Sequence, residues 1–343
     1  MKPLLPSFNQ VAHHIREMDR LRQYSNQGPL VRSIESKYAE IFGVNPENVV
    51  AVANATLGIE GLVRTSTCRK WIVPAYTFAA TALAVQNAGV PFSFADVDES
   101  TWFIEGRSAD KNSGVLAVAP FGASVDLDIF SSSAEVVWDA AASLGNLQSL
   151  NGISPNQAVV FSLHATKVFP AGEGGLLVLG SNERAQAIRR WQNFAFEGTR
   201  VSVGPGTNAK MSEIHAAYGL ASLENRELEM KDWQELRSYV AKKVSRKSIW
   251  MLSPRGNGVN PYWICTAKST AHRIRIEKSL AHAGIASRRW WSFLPSNPAF
   301  QDVCRLGDLP VARKLSETVL GLPFFRGLGE DSVAYVSDVV QRA

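Results

Sequence analysis

Cysteine is scarce in this chain of 343 residues: Cys68, Cys265 and Cys304 are the only three, far apart and in no metal-binding or redox spacing. That argues against a disulfide scaffold and a metal centre, and leaves reduced thiols in a cytoplasmic protein as the expectation. Long apolar runs are missing as well. Mean hydropathy is -0.06, and no stretch is long and clean enough to cross a bilayer, so no membrane insertion is expected. The opening MKPLLPSFNQVAHHIREMDR lacks an apolar core and a cleavage site, so no secretory signal is expected. Internal repeats and low-complexity linkers are absent. So are zinc-finger, RRM and basic-zipper patterns, which argues against nucleic acid as the partner. Acidic residues are short in one region. The net charge is only +5, yet between Leu236 and Phe300 there are twelve Lys or Arg and one acid, Glu277. Such an excess favours an anionic partner, although a solvated basic face has the same composition.

What the chain does have is length and apolar content, 45% hydrophobic, enough for a large core in two lobes. From residue 49 onward, short β-rich runs alternate with helical stretches: VVAVA, WIVPA, PFSFADV, GVLAVAPFG, EVVWDAA, AVVFSL and GGLLVLG. Near-continuous apolar strands joined by helices predict a mostly parallel sheet covered on both faces. A charged helix, NERAQAIRRWQNFAF, follows. The later section reads as a smaller α+β lobe, with PYWICTA as a strand and HRIRIEKSLAHAG and LPVARKLSETVLGLP as helices. The expected division is 1–235 for the large domain and 236–343 for the small one.

In open α/β sheets, ligands gather at the carboxyl ends of strands. Asp139 closes EVVWD, Ser162 closes AVVFS, and Lys167 follows in FSLHATKVFPAGEGG. Thr56 stands where VVAVA turns into a helix, and Phe78 follows WIVPA. Together these suggest a pyridoxal phosphate site. The lysine would hold the cofactor aldehyde as an imine, and the aspartate would pair with the protonated ring nitrogen. The helix start at Ala55–Thr56, with the Thr56 and Ser162 hydroxyls, would hold phosphate. Phe78 would stack on the ring, and glycines 172, 174 and 175 would allow a tight backbone beside the lysine. Each residue also has a plain reading: a surface lysine, a turn aspartate, an N-cap threonine, a core phenylalanine.

The same stretches resemble the DegT/DnrJ/EryC1/StrS family of sugar-nucleotide aminotransferases. The likeness runs through SNQGPLVRSIESKYAEIFGV, NATLGIEGL, VPAYTFAATALAVQNAGVPFSFADVDESTW, WDAAASLG, the lysine motif, GTNAKMSEIHAAYGLASLE and LPVARKLSETVLGLPFF, nearly the whole chain. The resemblance implies an aspartate-aminotransferase-like α/β fold (pyridoxal phosphate fold type I), with a mostly parallel seven-stranded sheet sandwiched by helices and a smaller C-terminal α+β lobe. It implies Lys167 as the imine lysine, Asp139 as the ring-nitrogen partner and Phe78 as the stacking aromatic. Ala55, Thr56 and Ser162 fall at phosphate contacts. Asn208 matches a residue that reaches the neighbouring subunit's phosphate, which implies a homodimer with shared active sites.

By the same resemblance, pyridoxal 5′-phosphate is the cofactor and L-glutamate the amino donor. The acceptor is a nucleotide-linked keto-6-deoxy sugar, with a dTDP-4-keto-6-deoxyhexose favoured and a 3-keto sugar as the alternative. Products of this kind feed O-antigen, capsule or glycoside biosynthesis. Arg288, Arg289, Trp290 and Trp291, in ASRRWWSF, fit a wall that holds diphosphate and base, or a connector with packed indoles. His164 and His215 read as packing residues. There are departures. Ala142 stands where the family has Gln or His near the cofactor's phenolic oxygen, Ala55 replaces a glycine, and loops 104–114 and 144–157 look short. A dehydratase branch carries histidine in place of the lysine, and Lys167 argues against it. A non-enzymatic sugar-nucleotide or cofactor-binding protein is a second rival, and a basic nucleic-acid-binding protein a third.

Overall fold

The computed structural model describes residues 2–105, 112–130, 134–243 and 259–343. Part of the loop 104–114 and three residues of the basic tract, Arg246, Lys247 and Arg255, lie outside these. All seven expected strands form, and all but β3, which is half-buried, are buried along most or all of their length: β1 (Val49–Val52), β2 (Trp71–Pro74), β3 (Phe92–Ala95), β4 (Gly114–Val118), β5 (Glu135–Asp139), β6 (Gln157–Ser162) and β7 (Gly175–Leu179). Their largely apolar character follows from burial on both faces. Val136 and Trp138 of β5 face one core, while Val137 faces the other. Leu176 and Val178 of β7 likewise oppose Leu177 and Leu179. A strand covered on both sides has no face left for polar residues.

The sheet has eight strands rather than seven. Its order is β1-β7-β6-β5-β4-β2-β3-β9, the last being a two-residue edge, β9 (Cys304–Arg305), laid parallel to β3. So short a strand carries no periodicity by which to find it. Only β7 runs antiparallel to its neighbours. One face is covered by α3 (Ala55–Arg64), α4 (Ala79–Asn87) and α5 (Asn182–Trp191), with α9 (Pro310–Thr318). The other is covered by α1 (Phe8–Leu21), α2 (Pro29–Phe42), α6 (Glu213–Glu224) and α7 (Arg226–Lys243), with α8 (Thr270–His282) and α10 (Glu330–Gln341). Helix α7 runs unbroken through residues 235 and 236.

Two expected helices end early. LPVARKLSETVLGLP is helical only to Thr318. Its VLGL then forms β10 (Val319–Leu322), paired antiparallel with β8 (Trp263–Thr266). All four residues of β10 are buried, and that burial outweighs helical spacing. NERAQAIRRWQNFAF stops at Trp191, because Phe194 and Ala195 adopt positive φ of 58° and 54° and turn the chain away. No helix among the described residues is long and apolar enough to cross a membrane.

One quoted motif is structural. Glu213, fully buried, accepts hydrogen bonds from the backbone N–H groups of Leu30 (2.8 Å) and Val31 (3.1 Å), which satisfies the start of α2. Gly28 leaves room for it, since a Cβ there would lie 2.5 Å from the Glu213 carboxyl carbon. Glu213→Ala orphans two amides and lowers stability by about 2–4 kcal/mol, read as a lower urea midpoint at unchanged slope. Glu229 on α7 has its pKa pushed up to about 7, chiefly by burial, with Arg326 at 3.7 Å and Ser222 opposing. A raised carboxyl pKa stabilises the fold below the ordinary value of 4.5, and that contribution is lost as pH rises through about 7. Glu229→Gln therefore raises the melting temperature at pH 8 and leaves it unchanged near pH 4.5, as a pair of thermal melts would show.

Candidate active site

Register brings the candidate residues to one edge. Val52 of β1 and Ser162 of β6 both pair with Gly175 of β7, and Asp139 of β5 pairs with Val160, two residues before Ser162. The carboxyl ends of β1, β5 and β6 thus lie side by side, and α3 starts just beyond β1. Asn54 caps this helix, accepting from the Leu57 amide at 2.9 Å. The cap is therefore Asn54, and the Thr56 hydroxyl stays out of it. Ala55 is absent from the residues of positive φ, so the alanine in place of glycine costs nothing in backbone strain. Glycine is required instead at 175, where a Cβ would come within 2.8 Å of the Ala55 nitrogen. The result is a helix start with free amides pressed against bare backbone, a favourable setting for a phosphate.

Asp139 is 8% exposed. Its Oδ2 accepts from the Thr81 hydroxyl at 2.7 Å and its Oδ1 from the Ala141 amide at 3.1 Å. Thr81 in turn lies 3.0 Å from the Thr77 hydroxyl. Burial raises the Asp139 pKa, and these two hydrogen bonds and the charge of Lys167 work against that rise. A buried carboxylate in this position favours a cation beside it.

Lys167 sits in a loop closed by backbone hydrogen bonds. Leu163 N–H donates to Gly174, Ala165 N–H to Gly172 and Ala171 N–H to Leu163, at 2.9, 2.9 and 2.7 Å. Closure requires φ of 90° at Gly172 and 155° at Gly174, values reserved for glycine. That answers why a lysine is followed by GEGG. The Lys167 amine is half-buried and donates to the Tyr262 hydroxyl at 3.2 Å. His164 staples the loop through Thr166 (2.9 Å), and His215 lies in α6 against Ser212.

Phe78 caps α4 and is 59% exposed. Ser162 is buried, its oxygen accepting from the His164 amide at 3.2 Å. Asn208 is exposed, on a stretch tied to Gln192 and Ala53 by backbone bonds of 3.0 and 2.7 Å from and to Ala209. The ASRRWWSF residues divide. The Arg289 guanidinium is bound bidentately to Glu277 at 2.7 and 2.8 Å, so its fork is already filled. Arg288 is exposed and lies over the Trp290 ring at 5.1 Å. Trp291 stacks on Phe121 with centroids 4.0 Å apart, and Trp290 meets Tyr262 edge-on at 5.2 Å. Both indoles thus reach the Lys167 corner through an aromatic neighbour.

Sequence reasoning missed Thr81, Asn54 and Tyr262. Asn before an apolar helix is a readable cap signal, whereas Thr77 lies just before the start of α4 and Thr81 within it, a pairing that only the fold reveals. Tyr262 is 95 residues from Lys167 and had no local signal.

An α/β sheet with a buried aspartate, a lysine loop and a helix start at adjoining strand ends defines an aminotransferase-like fold and site. The model of the DegT/DnrJ/EryC1/StrS aminotransferase family matches residues 9–341, and the chain belongs to that family. It is 27% identical to a dTDP-4-amino-4,6-dideoxy-D-glucose transaminase of Shigella dysenteriae, over 99% of this chain and 97% of that one. The structure of DesI, in the presence of its TDP-sugar product, superposes with a TM-score of 0.87 at 28% identity, covering 99% and 91% of the two chains. A PLP-dependent aminotransferase fold from Bacillus cereus ATCC 10987 superposes at 0.88 and 23% identity, covering 99% and 98%. The protein is a transaminase dependent on pyridoxal 5′-phosphate.

The residues present fit that group. The buried carboxylate needs a cationic partner, Phe78 is exposed, and the Gly175 cradle would be filled by a single Cβ. Gly175→Ala crowds the α3 start and weakens pyridoxal 5′-phosphate binding by about tenfold or more, about 1.4 kcal/mol, measured by fluorescence titration of the cofactor-free protein.

Proposed function

We propose that this aminotransferase moves an amino group from L-glutamate to a nucleotide-linked keto-6-deoxy sugar, with a dTDP-4-keto-6-deoxyhexose as the preferred acceptor. The observation that carries the reading is the placement at the sheet edge: a buried Asp139 at the end of β5, and Lys167 in the glycine-closed loop that follows the adjoining strand β6. Bound here, pyridoxal 5′-phosphate supplies an aldehyde for covalent attachment and an electron sink for charge developing at the substrate carbon.

Lys167 would carry the covalent attachment through Nζ. The same amine, when free, would take and return a proton at the substrate carbon that bears nitrogen. Asp139 would hold a protonated ring nitrogen, the cation its burial calls for. The amides at Ala55 and Thr56, with the Thr56 and Ser162 hydroxyls, would bind phosphate, and Phe78 would cover one ring face. Over the full cycle, glutamate becomes 2-oxoglutarate and the keto sugar becomes an amino sugar, so atoms and electrons balance. The relative from Shigella dysenteriae and the TDP-sugar in the DesI structure support the choice of a dTDP sugar.

Asn208, exposed on its tethered stretch, would complete the phosphate site of a second copy in a homodimer. Arg288 and the Trp290–Trp291 pair would form the outer wall for the nucleotide, with Arg289 bracing it through Glu277. A role in O-antigen, capsule or glycoside synthesis is consistent with such a product. The two lobes divide near residue 236 in this reading.

Loaded protein is expected to be yellow and to lose its visible band on addition of glutamate. Lys167→Ala abolishes the band and lowers turnover by roughly 10²–10⁴-fold. Asp139→Asn keeps the band but lowers turnover by about 10²-fold or more. A panel of 4-keto and 3-keto nucleotide sugars, read as 2-oxoglutarate release, tests the acceptor. Turnover with 3-keto sugars alone would overturn the C4 assignment.

A further inference from the structure

We propose that Tyr262 is a positioning residue for Lys167, its hydroxyl holding the amine in one place through both of the amine's protonation states. The inference rests on the Lys167 reading above and adds a residue to it. Tyr262 enters from the segment just ahead of β8, in a different part of the chain from the lysine loop. The hydroxyl lies 3.2 Å from Lys167 Nζ. A phenol is both donor and acceptor: it accepts from an ammonium and donates to the lone pair of a neutral amine. One contact thus serves an amine that must hold a proton at one moment and give it up at another.

The ring is gripped so that the hydroxyl stays aimed. Phe121 meets it edge-on at 5.4 Å and 79°, and Trp290 at 5.2 Å and 89°. Phe121 is itself stacked on Trp291 and held at φ 51°, a left-handed conformation unusual for a bulky residue and of the kind found at functional sites. The Tyr262 amide donates to Asn260 Oδ1 at 3.1 Å, which fixes the backbone beneath the ring. Asn260 packs close to Gly122, where a Cβ would meet Asn260 Cβ at 2.5 Å and the Ala142 carbonyl at 3.0 Å. Ala142 itself carries no polar side chain at this corner. The Tyr262 hydroxyl thus sets the place of the amine. The lysine charge also lies 5.7 Å from the Tyr262 ring centroid.

Tyr262→Phe keeps the ring contacts and deletes only the hydroxyl, so an unchanged thermal midpoint is expected. The first readout is acetylation of cofactor-free protein at fixed pH, with Lys167 followed by peptide mass spectrometry and the exposed Lys314 as internal reference. Without the hydroxyl occupying its lone pair, Lys167 reacts about threefold faster, the size of one modest hydrogen bond. The second readout is steady-state kinetics: kcat falls about tenfold, while KM for glutamate and for the keto sugar stays within about twofold. A Lys167 acetylation rate equal to or below wild type, or a kcat equal to wild type, overturns the proposal. Failure of the underlying reading looks different: added pyridoxal 5′-phosphate would then leave wild-type Lys167 as open to acetylation as before.

Discussion

A carboxyl group removed from water at the end of a parallel strand must either keep a proton or find a cation, and Asp139 is placed under that constraint. Its strand is covered on both faces, its oxygens accept from Thr81 and Ala141, and burial still dominates its protonation. The charge of Lys167 works against that burial. In the function we propose, the rest of the site would answer that aspartate: a cationic ring nitrogen opposite it, Lys167 to hold the ring, and the α3 start to hold the ring's phosphate. None of these positions is independent of the fold. β5 carries the carboxylate, β6 leads into the lysine loop, and β1 leads into α3, so sheet register sets their spacing.

Glycine makes this edge possible in two ways. At 172 and 174 the backbone takes φ values that other residues resist, which closes the lysine loop. At 175 the need is space, because β7 runs antiparallel between β1 and β6 and passes directly beneath the α3 start. The opening motif has a different cause. Its Gly28 clears room for Glu213, so two distant family-like stretches are tied by one buried carboxylate capping a helix. That link is structural, and it accounts for both stretches without assigning them chemistry.

Much of this was legible from residue patterns. Seven strands were visible because doubly buried strands are apolar throughout. The strand-end placement of Asp139, Ser162 and Lys167 followed from those strands. What escaped was set by tertiary contact. β10 lies in a stretch with helical spacing and becomes a strand because all four residues are buried against β8. β9 is two residues long and is defined only by its neighbour. Tyr262 reaches Lys167 from a distant part of the chain, a contact that no spacing rule encodes. Arg289 was readable as a phosphate ligand until its partner was known, since only the fold brings Glu277 to both of its nitrogens.

The covalent chemistry at position 167 is the central claim. Loading the protein with pyridoxal 5′-phosphate, reducing it with borohydride and mapping the digested peptides tests that claim directly. The account predicts a stable cofactor adduct on the lysine of HATK, with the remaining lysines unmodified. An adduct on a different lysine, or a reduced protein that carries none, would contradict it.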